Sequence, residues 1–226
     1  MGSGSGSGHG SGSGKGLGSG KGSGSGKGSG SGHDTHFSKY LNGGNGDDKL
    51  YGTSKDDKIN GKNGDDVLYG RSGDDYLLGG NGDDKLYGQN GHDKLDGGNG
   101  DDRLYGDHGR DLLFGRNGDD KLFGGKGDDK LYGENGRDWL VGGAGDDVLS
   151  GGKGGDWFVF NKADACNNVC DYDIITDFKE HEDRLVLGKG LDIDDVKDTA
   201  RGVLITLEGD GDKILVKNYH DVDYFC

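Results

Sequence analysis

From Gly43 to Val159 the sequence repeats every nine residues without a gap. Thirteen units begin at Gly43, Gly52, Gly61, Gly70, Gly79, Gly88, Gly97, Gly106, Gly115, Gly124, Gly133, Gly142 and Gly151. The best-formed read GGNGDDKLY (43–51 and 79–87) and GGNGDDRLY (97–105). Position 1 is always Gly, position 4 is Gly except at Lys55, and position 8 is always large and apolar, from Leu50 and Ile59 to Phe158. Position 6 is always Asp: Asp48, Asp57, Asp66, Asp75, Asp84, Asp93, Asp102, Asp111, Asp120, Asp129, Asp138, Asp147 and Asp156. A fixed short period of this kind is the signature of a stacked architecture.

Each unit joins a glycine-rich turn of six residues to a three-residue strand such as Lys49-Leu50-Tyr51, which alternates out, in, out. One inward aliphatic side chain stabilises a unit by about 2 kcal/mol. That cannot offset the ordering of nine residues, so the units must stack, with like positions forming ladders. Two units make one coil of eighteen residues. One edge then carries Asp48, Asp66, Asp84, Asp102, Asp120, Asp138 and Asp156, and the other Asp57, Asp75, Asp93, Asp111, Asp129 and Asp147. Neighbours within an edge lie about 4.8 Å apart, and bare carboxylates at that spacing repel.

Composition sharpens the problem. Only 28% of the 226 residues are hydrophobic, 53 are Gly, none is Pro, and the formal net charge is −15. Such a chain is expected to be largely disordered until its acid is neutralised. The acidic balance argues against nucleic acid as a partner. Ca²⁺ takes six to eight oxygens at about 2.3–2.6 Å, whereas Mg²⁺ holds its water in strict octahedral geometry. Zn²⁺ would want His or Cys, which the turns lack. Carboxylates and turn carbonyls stacked in this way suit Ca²⁺, with at most about eleven ions in the gaps between turns, and binding energy becomes folding energy.

Outside the repeat, residues 1–32 carry Gly at every even position and read as a flexible tail, which with a short joining segment fills 1–42. Residues 160–226 read as a β-rich cap. Strands are predicted near 158–160, 173–178 and 184–187, a helical turn or two within 191–199, and a hairpin from 203–207 and 213–216. Cys166, Cys170 and Cys226 allow either a Cys166–Cys170 bridge or three separate thiols. No apolar run is long enough to span a membrane, and residues 2–32 contain no apolar core of a cleavable signal peptide.

The nonapeptide resembles the RTX repeat, G-G-x-G-x-D-x-(large apolar)-x, of hemolysin-type calcium-binding proteins. The resemblance covers 43–159 and implies an all-β fold: a right-handed parallel β-roll, or β-solenoid, with a small β-rich C-terminal cap. It implies the position-6 Asp residues as side-chain ligands. It also implies carbonyl ligands at positions 2 and 4: Gly44, Gly46, Gly64, Gly73, Gly80, Gly82, Gly91, Gly98, Gly100, Gly109, Gly118, Gly125, Gly127, Gly136, Gly143 and Gly145. Asp173-Ile174-Ile175-Thr176-Asp177-Phe178, the segment 182–187 and the ending Asp223-Tyr224-Phe225-Cys226 are similar to the C-terminal part of serralysin-type secreted proteins. That similarity implies an uncleaved signal for a type I (ABC) secretion apparatus, and a secreted protein that folds outside the cell.

No catalytic constellation is visible. His181-Glu182 lacks the second His of HExxH, and neither a G-x-S-x-G elbow nor a P-loop Lys is present. Non-catalytic calcium binding is therefore the first expectation. The alternatives are a polysaccharide-binding or accessory module of a larger secreted enzyme of protease, lipase or alginate-epimerase type, or an adhesin-like roll. One outward face offers a candidate surface for acidic polysaccharide: Tyr51, Tyr69, Tyr87, Tyr105 and Phe123 at position 9, with Lys49, Lys85, Arg103 and Lys121 at position 7. Stacked Tyr also simply favours strands. Trp139, Val141 and Trp157 continue these ladders and are expected to mark where the cap docks. An ice-binding roll needs regular Thr or Asn rows, and among outward strand positions only Asn60 fits.

Overall fold

The nine-residue period becomes a stack of strands, each crossing from one unit into the next. A computed structural model describes residues 37–161, 171–208 and 211–225, which belong to one compact unit. The glycine-alternating tail and the three cysteines lie outside the described residues.

Fourteen strands form the roll: β1 (Lys39–Asn42), β2 (Lys49–Tyr51), β3 (Asp57–Asn63), β4 (Val67–Ser72), β5 (Tyr76–Asn81), β6 (Lys85–Asn90), β7 (Lys94–Asn99), β8 (Arg103–His108), β9 (Leu112–Asn117), β10 (Lys121–Lys126), β11 (Lys130–Asn135), β12 (Trp139–Ala144), β13 (Val148–Lys153) and β14 (Trp157–Phe160). The cap adds β15 (Tyr172–Ile175), β16 (Arg184–Leu187), β17 (Ile193–Thr199), β18 (Gly202–Leu207) and β19 (Lys213–Lys217), then a single 3₁₀ turn, Val222–Tyr224. Odd-numbered strands together with β18 form one sheet, β1-β3-β5-β7-β9-β11-β13-β15-β19-β18-β17, and the remaining even-numbered strands the other, β16-β14-β12-β10-β8-β6-β4-β2. Pairing in the roll is parallel and offset by eighteen residues, as in Leu86↔Leu104 and Leu77↔Leu95. The protein is thus an all-β parallel solenoid with two nine-residue units per coil.

The core is a double file of position-8 side chains. Ile59, Leu68, Leu77, Leu86, Leu95, Leu104, Leu113, Leu122, Leu131, Leu140, Leu149 and Phe158 are all fully buried. Neighbouring positions 7 and 9 point outward, as period-two alternation requires.

Three expectations need correction. Strand pairing runs through positions 7, 8, 9, 2 and 3, so most roll strands are six residues long and the bends are only three. The ladder continues because position 2 adopts positive φ and still pairs with the next coil; Lys62, Arg71, Gln89, Asp107, Arg116 and Glu134 do so without being glycine. Secondly, residues 39–42 are not part of a joining tail. They form β1, in register with Asp57–Asn60, because Leu41 falls on the position-8 phase and packs against the core. Thirdly, 193–199 is a strand rather than a helical turn. It pairs antiparallel with β18, whose Val203, Ile205 and Leu207 are buried, and tertiary pairing overrides local propensity there.

The cap continues the stack. β15 pairs in parallel with β13, β16 with β14, and β19 with β15. Beyond β19 the chain turns antiparallel through β18 and β17. Val141 is buried, while Trp139 stacks on Trp157, which is 39% exposed, pairs with Arg184 of the cap and has that guanidinium over its ring.

Candidate metal centre

The Asp of position 6 is the last residue of each bend, directly before a strand. Its backbone N–H donates to Oδ1 of the Asp one coil further on. These bonds are 2.6–3.0 Å and run as two unbroken chains. Both chains outlast the repeat: Asp156 donates to Asp183 and Asp147 to Asp173. The two edges therefore carry eight and seven stacked carboxylates rather than seven and six. Sequence reasoning missed Asp173 and Asp183, although each carries a signal by opening Asp-x-(large apolar), as in Asp173-Ile174-Ile175 and Asp183-Arg184-Leu185. The inserted residues before them break the period and hid the phase.

The second oxygen of each carboxylate sets the chemistry. Oδ2 of Asp66, Asp75, Asp84, Asp93, Asp102, Asp111, Asp120, Asp129, Asp138, Asp147 and Asp156 is buried and has no hydrogen-bond partner. Within the repeat only the first Asp on each edge escapes: Oδ2 of Asp48 accepts the Gly44 N–H and Oδ2 of Asp57 the Thr53 N–H. A buried carboxylate oxygen without a partner is costly, and eleven at the same place in eleven turns form a repeated anionic position that suits a cation.

Position 1 completes this geometry. A Cβ on Gly61, Gly70, Gly79, Gly106, Gly124 or Gly133 would collide with Oδ2 of the Asp in its own unit and with the position-1 carbonyl of the next coil. The invariant glycine keeps open a space on which a carboxylate and a carbonyl converge. These position-1 carbonyls were not foreseen, because composition gives no carbonyl direction. The carbonyls at positions 2 and 4 run along the stack instead: Lys62 O faces Gly80, Gly80 O faces Gly98, and Gly64 O faces Gly82.

Electrostatics follow from burial. Removal from water, with the neighbouring Asp charges adding to it, pushes Asp93, Asp102, Asp129, Asp138 and Asp147 up to about 8. The same causes push Asp75, Asp84 and Asp120 up to about 7. Asp111 and Asp156 are pushed up by burial to about 6, held lower by His92 and Lys179 respectively. Without a compensating cation these groups would hold protons near neutrality. Among the described residues no three Asp, Glu, His or Cys side chains gather into a metal shell. Each gap has carboxylates from two turns, and its remaining donors must be carbonyls. An all-oxygen set of that kind fits Ca²⁺ and does not suit Zn²⁺.

Two further ladders were missed. At position 5, Asp47, Asp65, Asp83 and Asp101 accept the N–H of the next coil through Oδ1, opposite in direction to position 6. At position 3, Asn45, Asn63, Asn81, Asn99, Asn117 and Asn135 form an exposed amide chain with Nδ2-to-Oδ1 distances of 2.7–3.0 Å. A regular Asn row thus exists on a turn edge, where outward strand positions alone showed Asn60.

Tyr51, Tyr69, Tyr87, Tyr105 and Phe123 stack at 4.9–5.0 Å with planes within 9° of parallel. Their faces therefore cover one another and present edges to solvent. Lys49 leans over the Tyr51 and Tyr69 rings. On the opposite face Arg116 pairs with both oxygens of Asp96 and with Glu134.

Fold and site together define a calcium-type parallel β-solenoid. The family model of the RTX calcium-binding nonapeptide repeat (4 copies) matches 42–77, 51–86, 69–104, 78–113, 87–122, 96–131, 105–140 and 123–158. The matches join across 42–158, more than half of the chain, and the protein belongs to the RTX calcium-binding nonapeptide-repeat family. That family is defined by a structural calcium-binding repeat, not by a catalytic centre. Among solved structures, the extracellular lipase LipA from Serratia marcescens is 18% identical over 85% of this chain, with a TM-score of 0.35. The chain spans 40% of that lipase's length. The AlgE6R3 subunit of the Azotobacter vinelandii mannuronan C5-epimerase is 21% identical over 77% of this chain and 72% of its own, with a TM-score of 0.27. Comparison with curated proteins gives no match. Among the described residues no helix is long and apolar enough to cross a membrane.

Proposed function

We propose that this is a non-catalytic, secreted calcium-binding protein whose roll, residues 43–159, folds only when its turns are loaded. The observation that carries this reading is the row of buried, unpartnered Asp Oδ2 atoms. Nine of the eleven, Asp66 to Asp138 along both edges, face the next coil of the repeat itself. The position-6 Asp residues and the position-1 carbonyls are the proposed ligands there, with position-2 and position-4 carbonyls available from the same bends. The first gap on each edge is the weakest, because Asp48 and Asp57 already have their Oδ2 engaged. Bound Ca²⁺ supplies the positive charge and oxygen coordination that the carboxylate ladders lack.

Export follows from the same physics. A chain with net charge −15 and so little apolar surface stays unfolded where calcium is scarce and folds where it reaches millimolar levels, as outside cells. The absence of Pro removes slow isomerisation from that folding. The C-terminal part, 160–226, serves as cap and as signal for a type I apparatus, and the residues before β1 serve as a tail. Counting bound metal by equilibrium dialysis tests the reading. About nine Ca²⁺ are expected in the roll, and Asp102→Asn, which neutralises one ladder carboxylate, should lower the count or weaken binding several-fold. Binding of one or two ions, indifferent to Asp102→Asn, would count against it.

A further inference from the structure

On the edge that begins at Asp57, the ladder crosses from the repeat into the cap. Asp147 is fully buried, and its Oδ2 has no partner. Its N–H donates to Oδ1 of Asp173 at 3.0 Å. Val148 and Leu149 pair with Ile174 and Ile175 in the register that joins successive coils elsewhere. Twenty-six residues separate the two Asp, yet they occupy corresponding places one coil apart.

The surroundings differ from those inside the roll. Asp171 and Asp212 are also buried, with 5% and 8% exposure, and Asp173 itself has 7%. The Asp171 N–H donates to Oδ1 of Asp212 at 3.1 Å, and Oδ2 of Asp171 accepts the Gly145 N–H at 3.2 Å. Asp171, Asp173 and Asp212 line a small cavity of about 20 Å³ with Gly143, Asn161 and apolar residues of β14 and the cap, and Asp147 lies outside that lining; it has room for one water-sized occupant. The other edge differs. At the Asp156–Asp183 junction the Lys179 ammonium donates to the Gly152 carbonyl, and the Lys179 N–H donates to Oδ2 of Asp183.

We propose that a calcium site lies at the roll–cap junction, between the carboxylates of Asp147 and Asp173, with backbone carbonyls as the remaining donors, and that it fastens the cap to the roll. This rests on the calcium reading of the roll, but the site uses residues beyond the repeat. β15 carries Asp173 and pairs with both β13 and β19, so the site would tie the antiparallel end of the cap to the last coil. Cap closure is then a separate calcium-dependent step.

Hydrogen exchange of the full chain across a calcium titration separates the two steps. In Asp173→Asn, the amides of Ile174, Ile175, Ile214 and Val216 should gain protection only at calcium concentrations about tenfold above those for wild type, since affinity follows ligand charge. Leu86, Leu95 and Leu104 should be unchanged. If no ion binds at the junction, Asp173→Asn merely relieves repulsion among buried carboxylates. The cap would then be protected at the same or lower calcium, which overturns the proposal. Should the Asp173→Asn cap stay unprotected throughout, Asp147→Asn decides by the same criterion, because its backbone N–H still reaches Asp173. Failure of the wild-type roll to gain protection with calcium would instead overturn the reading of the repeat itself.

Discussion

At the scale of single residues, the glycine of position 1 and the aspartate of position 6 act as a pair. The Asp brings Oδ2 over the Cα of the Gly, and the next coil brings a carbonyl to the same space. Gly79→Ala should therefore do more than cost a turn. Its methyl would meet Asp84 Oδ2 and Gly97 O, and a loss of about 1–3 kcal/mol is expected from overpacking, with weaker calcium binding measured by titration calorimetry. An unchanged calorimetric profile would mean that the space is not a cation position. The Asp half of this pair was legible in the sequence, because thirteen copies in one phase have no other economical explanation. The Gly half was visible only as invariance. Which carbonyl it admits depends on backbone direction: the family resemblance pointed to positions 2 and 4, and the collisions at Gly61 and Gly79 add position 1.

At the scale of strands, two kinds of ladder differ in weight. The position-8 side chains from Ile59 to Phe158 are fully buried in one core cluster, so Leu104→Ala should destabilise the calcium-loaded protein by about 2–5 kcal/mol. Tyr87 stacks between Tyr69 and Tyr105 at 4.9 Å. Tyr87→Ala should cost only about 0.5–1.5 kcal/mol beyond its lost area, and thermal unfolding in calcium would rank the two. A larger loss from Tyr87→Ala would show that the outer ladder, not the leucine file, organises the sheets. The aromatic and leucine ladders were readable from period-two alternation within the period of nine. β1 was not, because only Leu41 among its residues keeps the repeat's phase. Asp173 and Asp183 were hidden in the same way by the insertions before them. β17 was misread because its acidic, mixed sequence carries little alternation, and its state is set by pairing with β18.

At the scale of the molecule, stability should depend on pH in opposite ways with and without calcium. In the metal-free roll, burial raises Asp93, Asp102, Asp129, Asp138 and Asp147 to about 8, against about 3.9 in an unfolded chain. The folded state then binds more protons than the unfolded state between about pH 4 and 8, so its stability falls as pH rises through that window. Acidification in chelator should recover part of the β-structure. In calcium the protons compete for the same oxygens, and the calcium midpoint should move to higher concentration as pH falls from 8 toward 5.5. Circular dichroism at fixed calcium activity would reveal the sign, and a midpoint independent of pH would exclude the buried carboxylates as ligands.

The same spectroscopy bears most directly on whether calcium folds this chain. The full protein, held in excess EGTA at pH 7.5 and then titrated to millimolar free calcium, should pass cooperatively from a mostly disordered spectrum to a β-rich one, while magnesium at equal concentration leaves it unfolded. A chain equally β-rich in EGTA and in calcium would contradict that conclusion.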